Sequence, residues 1–380
     1  MQIAGVIRRV GFALPPGFWQ FFATLVAGVS RMPVTIARTT ARIHAFKLDK
    51  PVGGSGVAAV DVLLVELTDS DGAAGLGFSY VLGGGANAVL AAAQDQIAKF
   101  VEGKPLLPPQ ALWRKIAAGF NRTGLGPNVI ALAALDVAMW DLWAKRQNLP
   151  LYAAMGGEAR AVDVYGSGSF NATQTPEEAV ASALPQVERG LRALKPRVKG
   201  ARSDAALLQA VRKAVPDHVH LMTDANEKCD LASARWLLAC ARDQGLLFVE
   251  EPMPAYAVEG YRQLAAAEPG LVASGEHLQG MHSFQPFVAE RLVNTIQPDL
   301  AMIGGLTPVL DLAALAQSFD IALSPHFLPG LFVHVACASP CVQWIEEFPL
   351  LEPMFDGWPE MDAQGRMTPR DVAGHGLGVE

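Results

Sequence analysis

From Ala161 onward the chain repeats one pattern, a short apolar segment followed by a helical segment rich in Ala and Leu. Short apolar runs indicate buried strands, and helices between them indicate that the strands run parallel. Eight such steps, each roughly 20 to 30 residues long, predict an α/β barrel. The predicted strands are Val162–Tyr165, Leu191–Lys195, Val219–Thr223, Leu246–Val249, Leu271–Ser274, Val293–Gln297, Ile321–Leu323 and Val342–Ile345.

The part of the chain before Ala161 has a different order of elements. Strands are predicted at Ala41–Lys47 and Val60–Leu67, and helices at Ala86–Val101 and Val129–Gln147. This order predicts an α+β capping domain that precedes the barrel. The predicted divisions are an N-terminal extension (1–33), the capping domain (34–155), the barrel (156–348) and a C-terminal segment that packs back on the cap (349–380).

Charge and cysteine content exclude several classes of protein. The net charge is −7, and no run of Lys or Arg marks a nucleic-acid or membrane surface. Four cysteines are too few for a disulfide framework in 380 residues, so free thiols and a reducing, cytoplasmic location are expected. The cysteines are Cys229, Cys240, Cys337 and Cys341.

The N-terminal extension contains an apolar stretch, residues 10–29, behind Arg8 and Arg9. The stretch resembles a signal peptide, but Pro15 and Pro16 interrupt it and no clear cleavage site follows. The same prolines leave too little uninterrupted apolar length for a membrane span. Three interpretations stay open: an over-extended start before Met32, a disordered or packing extension, and an export signal.

Polar residues follow the predicted barrel strands. Because parallel strands present their carboxyl ends at one rim, these side chains converge there. Asp224, Glu250 and Glu276 follow three successive strands at intervals of 26 residues. Three hard oxygen ligands with space for water and a substrate carboxylate suit Mg²⁺. Capping of the following helices explains one or two of these acids, but not the full set. That set is Lys195, Asp224, Glu250, Glu276, Asp299, His326 and Glu346.

Local motifs add a specific resemblance. The segments VEEP (249–252), SGE (274–276) and QPD (297–299) resemble the metal-binding and strand-six motifs of the enolase superfamily. Residues 136–143 resemble the end of its capping domain, and the likeness extends over about 34–375. The resemblance implies a modified TIM barrel of (β/α)7β type with an N-terminal α+β capping domain.

The resemblance also implies functional roles. It makes Asp224, Glu250 and Glu276 the ligands of Mg²⁺, with Asn226 and Glu251 in support. Asp299 and His326 match the Asp–His dyad of the mandelate-racemase-like branch, in which the carboxylate orients the imidazole as a base. Glu346 resembles the strand-eight acid that donates a hydrogen bond to the substrate carboxylate. Such a donor must be protonated, so we expect nearby negative charge to raise the pKa of Glu346.

Strand two departs from the family pattern. Members of this branch carry Lys-x-Lys there, and the second Lys is a base on the face of the substrate opposite the His. This chain has Lys195 and then Arg197, whose guanidinium stays protonated and is suited to holding carboxylate or hydroxyl groups. Racemisation needs a base on each face, whereas dehydration needs one base and one acid, and His326 alone fills both roles.

One base and one acid on the same residue favour an Mg²⁺-dependent dehydratase. The resemblance implies aldonic or aldaric acids as substrates, because family members that act on sugar acids commonly use this chemistry. The predicted enzyme abstracts the α-proton with His326, stabilises the enediolate with the metal, Lys195 and Glu346, and eliminates the 3-hydroxyl to give a 2-keto-3-deoxy acid. Three alternatives stay open: a racemase or epimerase with Lys199 or Lys195 as second base, a cycloisomerase, and a non-catalytic metal-binding scaffold.

Further expectations concern the surroundings of this site. Ser167 is expected to contact substrate or to shape a turn, and Asn226 and His277 are further candidates for substrate contact. By family analogy, cap segments near 50–57 and 78–87 are candidate lids, and the protein is expected to be a homo-oligomer.

Overall fold

The structure is a computed structural model that describes residues 33–48 and 57–379. The N-terminal extension and the first candidate lid fall outside the described residues except for Pro33 and Val57. None of the described helices is long and apolar enough to cross a membrane.

The first part of the described chain is an antiparallel sheet covered by helices. Its strands pair in the order β1 (Ile36–Lys47), β2 (Ala59–Asp69) and β3 (Ala74–Val81). The helices that follow are α1 (Ala86–Phe100), α2 (Pro109–Ala117), α3 (Phe120–Thr123), α4 (Pro127–Arg146) and α5 (Leu151–Ala154). The predicted strands and helices of the cap are confirmed, whereas α2 was not predicted.

Strand β3 packs directly on α4 because two of its residues lack side chains. A Cβ atom would lie 2.3 Å from a backbone oxygen of α4 at Gly75 and 2.1 Å from one at Gly77. Any side chain at these positions would force β3 away from the helix. The alternation of a strand then directs Phe78 and Tyr80 to the opposite face of β3. Phe78 packs there on Phe355 of the C-terminal segment.

The second part of the chain is the barrel. Its strands are β4 (Val162–Gly166), β5 (Ala193–Leu194), β6 (His220–Leu221), β7 (Thr223–Asp224), β8 (Val249–Glu250), β9 (Val272–Ser274), β10 (Thr295–Ile296), β11 (Ala322–Leu323) and β12 (Trp344–Glu347). Its helices are α6 (Pro176–Glu188), α7 (Asp204–Ala214), α8 (Leu231–Asp243), α9 (Val258–Ala267), α10 (Gly280–Ala289), α11 (Leu300–Ile303), α12 (Leu306–Ser318) and α13 (Pro329–Ala338).

The barrel closes through parallel pairing of its first and last strands, β4 and β12. Segments β6 and β7 form one barrel strand interrupted at Met222, and a bridge between Leu323 and Val342 joins β11 to the last strand. An α-helix follows each of the first seven strands, whereas a 3₁₀ turn, Glu352–Met354, follows the eighth. The predicted fold, an α/β barrel of (β/α)7β type with an α+β cap, is confirmed.

The C-terminal segment connects the two parts of the protein. Strand β13 (Arg366–Met367) pairs antiparallel with β4 of the barrel. Further along, the backbone N–H of His375 donates to Oδ1 of Asp141 in α4 at 3.0 Å. The segment therefore fixes the cap over the barrel.

Candidate active site

The residues predicted at the strand ends lie at one rim of the barrel. Asp224 and Glu250 are the last residues of β7 and β8, Glu346 is the penultimate residue of β12, and Lys195 directly follows β5. Glu276 follows β9, Asp299 caps the N-terminus of α11, and His326 follows β11.

Three buried carboxylates form the centre of this rim. Asp224, Glu250 and Glu276 are 1%, 0% and 7% exposed. One oxygen of each, Oδ2, Oε1 and Oε2 respectively, accepts no hydrogen bond. Buried carboxylate oxygens that accept no hydrogen bond are rare because the loss of hydration is then not compensated. The three oxygens therefore provide the hard, anionic donor set that a divalent cation such as Mg²⁺ requires.

Burial and mutual repulsion raise the pKa values of two of these carboxylates. Burial raises the pKa of Glu250 to about 8; the charge of Lys195 opposes this effect, and the carboxylates of Asp224 and Glu276 add to it. Burial also raises the pKa of Glu276, against the opposing charge of His326. A cation between the carboxylates would remove this mutual repulsion.

Lys195 is buried between two acids. Its Nζ lies 2.5 Å from Oε2 of Glu250 and 2.8 Å from Oε1 of Glu346. Burial disfavours the charged ammonium, but these two carboxylates outweigh burial and raise the pKa of Lys195 well above its ordinary value. Lys195 is therefore a fixed positive charge and has no free electron pair to act as a base.

The expectation that Glu346 is protonated is wrong in this structure. Burial would raise its pKa, but the charges of Lys195 and His326 and hydrogen bonds from Lys195 and Ser167 lower it to about 2. Ser167 donates to Oε1 at 2.5 Å, and the backbone N–H of Phe327 donates to Oε2 at 3.1 Å. Glu346 is thus an ionised acceptor, and the buried Ser167 orients it.

His326 and Asp299 form the predicted pair. Nδ1 of His326 lies 2.9 Å from Oδ2 of Asp299, and Nε2 lies 3.2 Å from Oε2 of Glu276. Burial would lower the pKa of His326, but Glu276 and Asp299 outweigh it and raise the pKa to about 10. The imidazole therefore directs one nitrogen to its orienting carboxylate and the other to the cluster of carboxylates.

The other two cations of strand two, Arg197 and Lys199, differ in their access to the site. Arg197 is half-buried, lies 3.5 Å from Oδ2 of Asp224 and packs on the ring of Phe348. Its Nε is buried and has no hydrogen-bond partner. Lys199 is exposed, and the carboxylate of Asp204 accepts a hydrogen bond from its backbone N–H.

A cavity of about 510 Å³ opens at this rim. Its charged and polar lining residues are Tyr80, Arg197, Asn226, Glu276, His277, Asp299 and His326. Lys199 and Ser167 do not line it. A larger groove of about 690 Å³ between Arg189 and the C-terminal segment contains none of the predicted site residues.

Asn226 and His277 lie at the wall of this cavity. Nδ2 of Asn226 donates to Oε1 of Glu276 at 3.4 Å. Nδ1 of His277 lies 2.6 Å from Oε2 of the buried Glu251, and this hydrogen bond raises the pKa of His277 to about 9 against partial burial. Asn226 and Glu251 have φ values of 43° and 34°, so strained backbone accompanies the carboxylates at two strand ends.

Two protein families together match most of the chain. Residues 24–156 match the mandelate racemase / muconate lactonizing enzyme N-terminal domain, and residues 178–380 match the enolase C-terminal domain-like family. The chain belongs to the enolase superfamily.

Relatives of this enolase-superfamily protein include dehydratases of sugar acids. L-talarate/galactarate dehydratase of Salmonella typhimurium is 32% identical over 84% of this chain and 80% of its own length. A putative L-rhamnonate dehydratase of Caldivirga maquilingensis is 32% identical over 71% and 67%. The crystal structure of L-talarate dehydratase from Polaromonas sp. JS666, complexed with Mg and L-glucarate, has a TM-score of 0.84 at 31% identity and covers 91% of this chain and 95% of that one.

Sequence reasoning missed two residues of the site in this enolase-superfamily protein. Gln297 donates from Nε2 to Oε2 of Glu250 at 2.8 Å. Tyr80, which extends from the cap, donates a short hydrogen bond to Oδ2 of Asp299. Gln297 belongs to the QPD segment that the sequence analysis noted. The sequence signal for Tyr80 is the alternation of β3, in which Gly75 and Gly77 face α4 and Tyr80 faces the other side.

Proposed function

We propose that this protein is an Mg²⁺-dependent dehydratase of sugar acids, either aldonates or aldarates. Its relatives dehydrate such acids, and its carboxylate cluster suits the metal that accompanies L-glucarate in the Polaromonas complex. The protein is accordingly a carbon–oxygen lyase with Mg²⁺ as its cofactor. By analogy with the family, we also propose a cytoplasmic homo-oligomer in which residues 34–155 cap the barrel.

The observation that carries this proposal is that the site offers a base on one face of the substrate, and that strand two offers none on the other. Two imidazoles line the cavity among the described residues, His326 and His277. Nδ1 of His326 contacts the orienting carboxylate of Asp299 while its Nε2 faces the carboxylate cluster, whereas His277 contacts Glu251 and the cluster through the same nitrogen, Nδ1. On strand two, Arg197 keeps its proton, Lys195 is held charged by two carboxylates, and Lys199 is exposed. A racemase would need a second base, and strand two supplies none.

The reaction follows from the contacts of these residues. Asp224, Glu250 and Glu276 would hold Mg²⁺, which supplies positive charge opposite the substrate carboxylate. Against burial, nearby negative charge raises the pKa of His326 to about 10, and a cation held by Glu276 would offset that charge, so that Nε2 would be free to accept a proton. His326, oriented by Asp299 through Nδ1, then takes the α-proton on Nε2, and the electron pair left behind forms an enediolate. The buried charge of Lys195 stabilises this anion without any proton transfer. Arg197 donates to hydroxyl or carboxylate oxygens of the substrate.

Elimination completes the reaction on the same face of the substrate. The imidazolium of His326 returns its proton to the 3-hydroxyl, the C3–O bond breaks, and water leaves. The resulting enol tautomerises to a 2-keto-3-deoxy acid. Glu346 serves in this scheme as the anionic partner that keeps Lys195 in place, and not as the donor that the sequence predicted.

A screen for 2-keto acids tests the proposal. Purified protein with Mg²⁺ is incubated with a panel of aldonic and aldaric acids, and new 2-keto acids are trapped with semicarbazide and measured by absorbance. We expect product from at least one acid, and none with EDTA or with His326→Asn. Wild-type protein that binds Mg²⁺ and yields no 2-keto acid across the panel would refute dehydration and favour the racemase, cycloisomerase or scaffold alternatives.

A further inference from the structure

A residue of the cap, Tyr80, contributes a hydroxyl group to the pair formed by Asp299 and the proposed catalytic base, His326. Tyr80 lies near the end of β3, is 6% exposed, and donates through its hydroxyl to Oδ2 of Asp299. That oxygen is the one that Nδ1 of His326 also contacts, at 2.9 Å. The side chain of Asp299 therefore joins a cap residue to the proposed base.

Asp299 is held by hydrogen bonds at both of its oxygens. Oδ1 accepts the backbone N–H groups of Ala301 and Met302, each at 2.9 Å, at the start of α11. These two bonds fix one oxygen but permit the carboxylate to tilt about it. Oδ2 has a second contact besides His326, the hydrogen bond that the hydroxyl of Tyr80 donates to it.

We propose that Tyr80 is a positioning residue for His326, acting through Asp299, so that the base is fully oriented only when the cap is packed on the barrel. The proposal rests on the proposed function, because it assigns Tyr80 a role in the proton abstraction by His326. It adds a residue from the cap to a set that otherwise comes from the barrel.

The surroundings of Tyr80 support this role. Burial, followed by the nearby Asp299 carboxylate, raises the pKa of Tyr80 well above its ordinary value, so the phenol keeps its proton and remains a donor. Its ring packs edge-on against Phe327 at 4.9 Å, and Phe327 packs in the same way against His326 at 5.0 Å. Tyr80 thus contacts both the orienting carboxylate and the residue that follows the base.

Removal of this single hydroxyl tests the proposal. We expect Tyr80→Phe to lower kcat by about 10- to 100-fold, the range for outer-shell partners of an active-site group, with KM and Mg²⁺ affinity changed less. The primary isotope effect on substrate deuterated at the α-carbon should rise, because proton abstraction becomes slower than the other steps. Tyr152→Phe is the matched control: its hydroxyl donates to Asp371, outside the cavity, and its loss should leave kcat unchanged.

A double-mutant cycle separates positioning from general destabilisation. If Tyr80 acts through Asp299, Tyr80→Phe should cause little further loss in an Asp299→Asn background. Equal loss in both backgrounds, or a kcat within twofold of wild type for folded Tyr80→Phe, would overturn the proposal. The proton NMR signal of the His326 Nδ1–H in resting enzyme provides a readout that needs no turnover. It should shift in Tyr80→Phe and not in Tyr152→Phe, even if the substrate class proves different.

Discussion

The Nζ atom of Lys195 lies 2.8 Å from Oε1 of Glu346, and solvent reaches 0% and 1% of the two side chains. Together with Glu250 this contact makes Lys195 a permanent cation. A buried cation with two anionic partners stabilises negative charge that develops nearby, but it does not accept a proton. The pair therefore supports an enzyme with one base.

Loss of the Lys195 charge should cost stability as well as activity. Lys195→Met leaves the ionised Glu346 buried without its cation, and removal of one partner of a buried ion pair costs about 3–5 kcal/mol. Urea unfolding of the metal-free protein should show a decrease of this size. Lys213→Met, on the exposed surface of α7, is the control and should leave the free energy of unfolding nearly unchanged. A Lys195→Met protein as stable as wild type would show that the pair is not buried as described.

Replacement of the proposed base should abolish turnover without loss of the fold. We expect His326→Asn to lower kcat by about 10²- to 10⁴-fold, the range for a general acid–base residue. His218→Asn, at an exposed position, serves as the control. Turnover of His326→Asn close to that of wild type would remove His326 from the mechanism.

Mg²⁺ should stabilise the folded protein because it relieves repulsion between buried carboxylates. At a Mg²⁺ concentration one hundred times its Kd, linkage predicts a gain of about 2.7 kcal/mol, measurable as a higher Tm. Glu250→Gln should lose most of this gain, while Glu259→Gln, at an exposed position of α9, should retain it. An equal Mg²⁺ effect in both variants would contradict the assignment of Glu250 as a ligand.

Buried His334 should make stability depend on pH. Burial, with a smaller effect of His375, lowers its pKa to about 3, and its Nδ1 accepts the backbone N–H of Tyr152. Between the folded pKa of about 3 and the pKa of about 6.5 in the unfolded chain, His334 is protonated in the unfolded state but not in the folded state. The stability that the neutral imidazole contributes is therefore present above pH 6.5 and is lost as pH falls.

The difference in unfolding free energy between wild type and His334→Gln reports this loss. We expect the difference to be about 2 kcal/mol smaller at pH 5 than at pH 7. His282→Gln, at an exposed position, should show no such change. A difference that is independent of pH would show that His334 binds its proton as readily in the folded as in the unfolded state.

The barrel and most of the candidate site could be predicted because their signals are local. Each strand is a short apolar run, and the residues that follow it lie at one rim whenever the strands are parallel. Asp224, Glu250 and Glu276 therefore lie together for a reason visible in their spacing.

Two features could not be predicted because they depend on contacts between distant segments. The approach of Tyr80 to Asp299 follows from the packing of β3 on α4. The alternation of β3 indicates which face Tyr80 occupies, but not that Asp299 lies opposite that face. The charge state of Glu346 depends on a balance of burial against Lys195, His326 and Ser167. The sequence indicated a carboxylate at that place but not which effect would be larger.

The central claim is that one base removes an α-proton and the 3-hydroxyl then leaves. Proton NMR in D₂O with Mg²⁺, across aldonic, aldaric and simple α-hydroxy acids, follows both events in one experiment. The account predicts that one sugar acid loses its α-proton signal while signals of a 2-keto-3-deoxy acid appear. Loss of the α-proton signal without elimination would contradict dehydration and establish racemisation or epimerisation instead.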